Sequence, residues 1–387
     1  MHHLVLDVET TISNKGNPFD KTNKLMMVGL DGGEVYDIEY TDEPYRYNLD
    51  RIQSVIDHDA DVLVGFNIKF DLHWLHRYGI RFSHKRIWDC QLVHFMLTGQ
   101  QYPYPSLNSV CEYYGLETKL DAVKEEYWKN GIDTPDIPRD LLEEYLKKDV
   151  DLTQQVYLKQ LKDVSESSKE MERLISLHNQ DLLVLKEMEA NGLLFNQKWS
   201  EVLGNELSEQ IAQLDRKLYN YHLFTDFNPN SVDHVSALLY GGSINYRVKR
   251  ASGTYKSGAR QGETKFSWED RRLELPRLVK PLKGTELKKE GLYSTDEKTL
   301  RSLNGSKKAQ EVINLVLTRS ELEKRMSTYY LGLPSLIQES NWEHGKIYGS
   351  LNQCVARTGR LSSSKPNLQN FDGEIKGLFY SRYEEAV

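Results

Sequence analysis

The chain has 387 residues, 39% of them hydrophobic and 28% charged, and carries a formal net charge of −7. That length predicts two or three domains rather than one core. The absence of an apolar run of about 18 residues argues against a transmembrane helix or a membrane partner. Asp7 interrupts a short apolar start, so no signal peptide is expected. Cys90, Cys111 and Cys354 form neither a disulfide framework nor a zinc pattern, which predicts a reducing, cytoplasmic setting. Nucleic-acid binders are often basic, so the acidic balance counts against one unless the chain carries a local basic track.

The first third reads as α/β. Leu4 to Glu9 predicts a buried strand, Lys24 to Leu30 its neighbour, and Glu34 to Ile38 a third strand beyond the turn at Gly32-Gly33. A helix is expected from Leu49 to His58, a buried strand from Asp61 to Phe66, and helices from about Phe70 onward. This order predicts a mixed sheet flanked by helices. Helical spacing recurs from Asp140 to Gln160, from about Ser165 to Glu189 and from Gln197 to Tyr221, with a stop at Asn191-Gly192. Between Arg247 and Glu290 the chain holds 13 Lys/Arg against 6 Asp/Glu, with several glycines. That stretch predicts an extended excursion or β-hairpin. Helices return at Asp296 to Leu303, opened by the capping-box pattern Ser294 to Glu297, and at Lys308 to Leu331.

Three segments carry carboxylates in suggestive places. Asp7 and Glu9 lie two apart on a strand and so share a face. Burying such a pair is costly unless a cation neutralises it, and divalent metals with oxygen ligands are the simplest remedy. An exposed strand end is the plainer alternative. Asn67 to Asp71 ends a strand and begins a helix. Tyr145 and Asp149 stand at i and i+4 on one helix face.

Taken together, Asp7-Val8-Glu9, Asn67-x-x-x-Asp71 and Tyr145-x-x-x-Asp149 resemble the three motifs of the proofreading 3′–5′ exonuclease domain of DNA polymerases. The sister subgroup carries His where this chain has Glu144, so the tyrosine version fits. The resemblance covers roughly residues 1–160 and implies a ribonuclease H-like fold. It also implies two divalent ions, Mg²⁺ or Mn²⁺, with Asp7, Glu9 and Asp149 on the inner one and Asp7 with Asp71 reaching the outer one. Such a pair suits phosphodiester hydrolysis, one ion for each side of an in-line displacement. Tyr145 is then expected to orient the attacking water, since a phenol with a pKa near 10 is a poor full base. Asn67, Phe66 and Phe70 are candidates for the single-stranded 3′ end, because aromatic faces stack on bases. Core packing is the alternative for either phenylalanine. Asp89 matches an acid common in the family and is taken as structural.

The second half resembles family A, polymerase I-like DNA polymerases. The resemblance lies in Glu189 to Asn196, in Phe227 to Ser231, in Arg319 to Tyr330 as a long thumb helix, and above all in Ala356 to Asn370. The last run matches the family's primer-template motif nearly residue for residue. Its hydroxyls, amides and arginines suit phosphates and minor-groove acceptors. By resemblance Thr358, Arg360, Lys365, Asn367, Gln369 and Asn370 contact primer or template DNA. The expected layout is an exonuclease domain at 1–165, a mainly helical thumb at 166–335 with a basic insertion at about 242–292, and an incomplete palm at 336–387.

The sequence ends at Val387, where the family's first catalytic strand of nucleotide addition would follow. The expectation is therefore one part of a polymerase, either a fragment of a longer protein or, as favoured, one half completed by a second polypeptide carrying palm and fingers. Met1 leading straight into the first strand is similar to compact phage-like members, which would place the chain in a host cytoplasm. The basic insertion is expected to track duplex phosphates or to dock a processivity factor. A stand-alone 3′–5′ exonuclease and a non-catalytic DNA-binding scaffold are the competing functions.

Overall fold

The computed structural model describes residues 2–40, 45–119, 122–258 and 260–383; Met1 and Glu384 to Val387, named above, lie outside the described residues. Two compact units are present, one formed by residues 1–197 with 335–387 and the other by 198–334. Among the described residues no helix is long and apolar enough to cross a membrane. All three cysteines are free and buried.

The first unit is built on a five-stranded mixed sheet. Its strands are β1 (His3–Thr10), β2 (Leu25–Leu30), β3 (Glu34–Asp37), β4 (Val62–Gly65) and β5 (Arg86–Asp89), in the order β3-β2-β1-β4-β5. β2 runs antiparallel to both β1 and β3, whereas β1, β4 and β5 are parallel. Helices α1 (Arg46–Asp59), α2 (Ile68–Arg77), α3 (Cys90–Leu97), α4 (Leu107–Tyr113), α5 (Ala122–Glu126), α6 (Arg139–Glu166) and α7 (Lys169–Asn191) complete this part of the chain.

Strand alternation divides the core in two. Leu4, Leu6 and Val8 join α1, α2, α3 and α7 in one cluster. Val5 joins Leu142, Leu146, Val150 and Val156 of α6 in another. Period two then continues the Val5 face as Asp7 and Glu9. The face that begins as hydrocarbon therefore ends as carboxylate, still under α6.

α6 comes close because Gly29, the β2 partner of Asp7, has no side chain. A Cβ at Gly29 would stand 2.8 Å from the Leu146 side chain and 3.2 Å from that of Val150. The two long helices α6 and α7 meet at Ser167-Ser168, where the Ser168 hydroxyl caps α7 by accepting from Met171 N–H. α7 packs on β5 and α2, so it clusters with the sheet rather than with the helical region that follows.

Residues 335–387 return to the first unit. β6 (Leu193–Phe195) sits between β9 (Lys346–Ile347) and β12 (Phe379–Tyr380), and β10 (Ser350–Asn352) pairs with β11 (Ser362–Ser364). One side chain ties this segment to the sheet. Glu189, 5% exposed at the end of α7, accepts from Lys69 Nζ at 2.6 Å, His73 Nε2 at 2.7 Å and Leu351 N–H at 2.5 Å. Lys69 Nζ also donates to the Leu351 carbonyl. Despite its own burial, Glu189 is held below the usual carboxylate range by His73 and Lys69. Burial pushes His73 down, while its hydrogen bond to Glu189 pulls the other way.

The second unit holds α8 (Gln197–His222), α9 (Val232–Tyr240), the paired strands β7 (Gly242–Thr254) and β8 (Thr264–Leu275), α10 (Glu297–Arg301) and α11 (Lys307–Arg325). Leu218, Leu238, Leu239, Tyr240, Val312 and Ile313 form its core. Arg319 is buried on α11, where it meets Asp215 at 2.7 Å and Asn230 at 2.5 Å. Two expectations shift here. The cap of α10 is Asp296, which accepts from Thr299 N–H, while Ser294 donates its hydroxyl to Asp296. α11 stops at Arg325 and passes into a π-turn over Met326–Tyr330 instead of running on as α-helix.

Two substitutions test this packing. Gly29→Val is expected to push α6 off the sheet and lower unfolding stability by about 1–3 kcal/mol, read from urea denaturation. Glu189→Ala removes the carboxylate partner of the half-buried Lys69 and is expected to cost up to about 3–5 kcal/mol in the same measurement. Unchanged midpoints would show that α6 or the segment from β10 onward yields without penalty.

Candidate active site

Three carboxylates converge where β1 runs past the end of β4. Asp7, Glu9 and Asp149 each place an oxygen within 4.8 Å of the others. Asp7 and Glu9 are aligned by the strand, and Asp149 belongs to the buried stripe of α6. Burial, and then the charge of Asp149, push the Asp7 carboxyl up to about 8, against the pull of Lys119 and the Val8 N–H. Burial, then Asp7 and Asp149, raise Glu9 well above its ordinary range.

Asp71 approaches from the other side. The β4–α2 turn places Asn67 in the left-handed region at φ 59°, and Asp71 falls in the first turn of α2. It is 2% exposed, and its Oδ1 accepts from Val8 N–H at 3.2 Å. Val8 lies beyond the last β1–β4 pair, so a side chain there completes the edge of the ladder. Burial and then the Asp7 charge raise Asp71 well above the carboxylate range. Asp71 thus neighbours Asp7 electrostatically but stands outside the group of three.

Asp89 caps α3, accepting from Gln91 and Leu92 N–H, and also accepts from Asn67 N–H at 3.1 Å. Burial pushes it up to about 6 against these donors. Its place is therefore structural, fixing the turn that leads to Asp71. Asn67 is exposed at the start of α2, whereas Phe70 is half-buried and packs against the core.

Tyr145 lies one turn before Asp149, edge-on to Trp128 at 5.5 Å. The residue that sequence reasoning missed is Lys119. Its ammonium donates to the Tyr145 hydroxyl at 2.6 Å and to Asp149, and sits 3.9 Å from the Tyr145 ring centroid. Asn108 holds the Lys119 backbone through both N–H and carbonyl at 3.3 Å. Lys119 has no fixed spacing from the acidic motifs, so only the tertiary fold brings it to them.

The donor set fits divalent metal. Carboxylate oxygens are the hard ligands that Mg²⁺ and Mn²⁺ favour. Beside Asp149, the carboxyls of Asp7 and Glu9 are both pushed up, which an added cation reverses.

The remaining candidates lie apart from this group, on the loop joining β10 to β11 and just beyond it. Thr358, Arg360, Lys365, Asn367, Gln369 and Asn370 are all exposed. Part of the set stiffens the segment itself. Asn367 accepts from Gln369 N–H and from the Ser363 hydroxyl, both at 3.1 Å, and Gln369 Nε2 donates to the Leu361 carbonyl at 2.8 Å.

Comparison with known proteins bears on both regions. Residues 5–165 match the family model for a 3′–5′ exonuclease, and residues 271–385 match that for DNA polymerase family A. DNA polymerase I of Synechocystis sp. is 26% identical over 304 residues, covering 79% of this chain and 26% of that protein. DNA polymerase I of Geobacillus stearothermophilus is 29% identical over 202 residues, covering 52% and 18%. The thermostable DNA polymerase I of Thermus aquaticus is 30% identical over 187 residues, covering 48% and 17%. The chain thus spans about a quarter or less of these relatives. In structure it is similar to the POL domain of Pol1 from M. smegmatis, solved in complex with DNA primer-template and dNTP. The TM-score is 0.63 at 16% identity, covering 99% of this chain and 53% of that one, a likeness of fold. The chain thus carries a 3′–5′ exonuclease match over residues 5–165, followed by a match to DNA polymerase family A over residues 271–385.

Proposed function

We propose that the exonuclease domain removes nucleotides from single-stranded 3′ ends of DNA, and that the segment 356–370 holds a primer-template duplex. The observation carrying the first reading is the meeting of Asp7, Glu9 and Asp149 within 4.8 Å, with the charge of Asp7 felt at Asp71. When bound, a pair of Mg²⁺ or Mn²⁺ ions would supply an activated water and stabilise the leaving oxygen of an in-line displacement. Asp7, Glu9 and Asp149 would hold one, and Asp7 with Asp71 the other. Tyr145 orients the attacking water through its hydroxyl. Lys119 is a positioning residue, fixing that hydroxyl and the Asp149 carboxylate with one ammonium. Asn67 and Phe70, at the start of α2, border the 3′ end.

The exposed cationic and amide side chains Arg360, Lys365 and Asn370, with Thr358, meet DNA backbone and minor-groove edges. Asn367 and Gln369 shape the loop that presents them. Nucleotide addition is proposed only for an assembly that supplies the remaining family elements, whether in the same polypeptide or in a second one. A processivity factor is a further partner of such an assembly.

Digestion of 5′-labelled single-stranded DNA by the full chain with Mg²⁺ or Mn²⁺ tests the exonuclease. The wild type is expected to shorten the strand from its 3′ end. Asp7→Ala is expected to abolish shortening with DNA binding retained, and Tyr145→Phe to slow it by up to about 10²-fold. Lys119→Met is expected to lower kcat with KM near wild type, as for a group that acts on the reacting geometry. No shortening by the wild type with either metal would sink this reading.

Linkage gives a second check. Asp7 faces Glu9, Asp149, Asp71 and Lys119, and its folded pKa of about 8 lies above its ordinary value of 3.8. Below 3.8 it is protonated in both states and contributes nothing adverse. As pH rises from there towards 8, the unfolded chain ionises freely while the folded chain resists. Metal-free thermal stability is therefore expected to fall across that window. Mg²⁺ should restore it at pH 8 by mass action. Asp7→Asn should flatten both responses, as followed by calorimetry in EDTA and in Mg²⁺.

A further inference from the structure

The strands β7 and β8 form a hairpin of which only the root is packed. Ile244 and Leu275 are buried, and Tyr246 leans on Phe224 with ring centroids 4.6 Å apart. Beyond them most residues of both strands are exposed. An isolated two-stranded ribbon gains little from its own burial, so the side chains it displays are not there to fill a core. Two of these are large aromatics, Trp268 at 65% and Phe266 at 48% exposure.

Phe266 and Trp268 are two apart on β8 and so share a face. Their cross-strand partners on that face are Ala251 and Lys249, and Arg247 with Asp270 comes next. The Lys249 ammonium lies 4.5 Å from the Phe266 ring centroid. Arg247 meets Asp270 at 2.8 Å. Both partners of that pair are mostly exposed, so it is weak and readily exchanged for a phosphate. Residues 242–275 hold eight Lys/Arg and four Asp/Glu, a positive balance in a chain whose net charge is −7. An open aromatic pair interleaved with cations is the surface that single-stranded nucleic acid takes, bases on rings and phosphates on ammonium or guanidinium groups.

We propose that the Phe266–Trp268 face of this hairpin is a binding site for single-stranded nucleic acid, with bases stacked on the two rings and phosphates held by Lys249 and Arg247. Spacing selects the single strand. Same-face neighbours on a strand are roughly 6.8 Å apart, about twice the ~3.4 Å rise per base along a duplex strand. Successive bases must separate to seat on both rings, and a duplex keeps its base faces covered. The site is distinct from the exonuclease carboxylates and needs no divalent metal.

The test is anisotropy of a labelled twelve-residue oligo(dT) and of a blunt duplex, titrated with the full chain in EDTA so that the carboxylate site neither binds metal nor hydrolyses. The double variant Phe266→Ala/Trp268→Ala alters only exposed side chains, and unchanged thermal melting establishes that it is folded. It is expected to lose at least about tenfold in affinity for oligo(dT), on the usual worth of base stacking on an aromatic, with duplex affinity changed less than about twofold. Oligo(dT) should also quench tryptophan emission, and the quench should shrink in Trp268→Phe. Lys249→Glu/Arg247→Glu should flatten the dependence of affinity on salt. Wild-type affinity for oligo(dT) in the double aromatic variant, or an equal loss for single strand and duplex, would overturn the proposal.

Discussion

Carboxylates crowded between a buried strand and a buried helix are the constraint around which the first unit is arranged. Asp7 and Glu9 continue the face that Val5 devotes to packing, and Asp149 continues the stripe that Leu142 and Leu146 begin on α6. The hydrophobic contact that joins α6 to the sheet thereby also brings the acids together. Gly29 sets how near they come, because no side chain holds α6 away. Mutual repulsion and lost hydration work against this closeness, and Lys119 offsets part of both.

The supports around the acids are backbone donors and caps. Asp71 is held by the Val8 N–H at the point where β4 no longer pairs with β1. Asp89 fixes Asn67 and thereby the turn that leads into α2. A site made this way inherits the rigidity of the sheet, since its members sit on regular elements rather than on loops.

Much of this was legible in the sequence. The alternation of Leu4 to Glu9, the strand-to-helix change before Asp71 and the helical spacing of Tyr145 and Asp149 each follow from a local period. Those periods placed three acids where the structure gathers them. What stayed hidden depends on long-range closure. Lys119 reaches the acids from a loop 30 residues before Asp149. Glu189 read as part of a polymerase-like segment, with nothing to indicate that it would take donors from α2 and β10. The helix α7 carries a helical pattern that any neighbour would satisfy, so its packing on β5 and α2 was not readable. The cap of α10 fell on Asp296 rather than Ser294 because the aspartate lies directly before the first helical residue. The basic stretch before Glu290 announced itself by composition, but only strand pairing revealed which of its aromatics share a side.

The shared acceptor at the end of α7 has a mechanical meaning. One carboxylate collects a lysine and a histidine from the helix that bears Asp71, and a main-chain amide from β10. Its two oxygens offer about four lone-pair sites, so all three donors are held at once. The same group is thus the shared anchor of α2 and β10, and its loss would release both together.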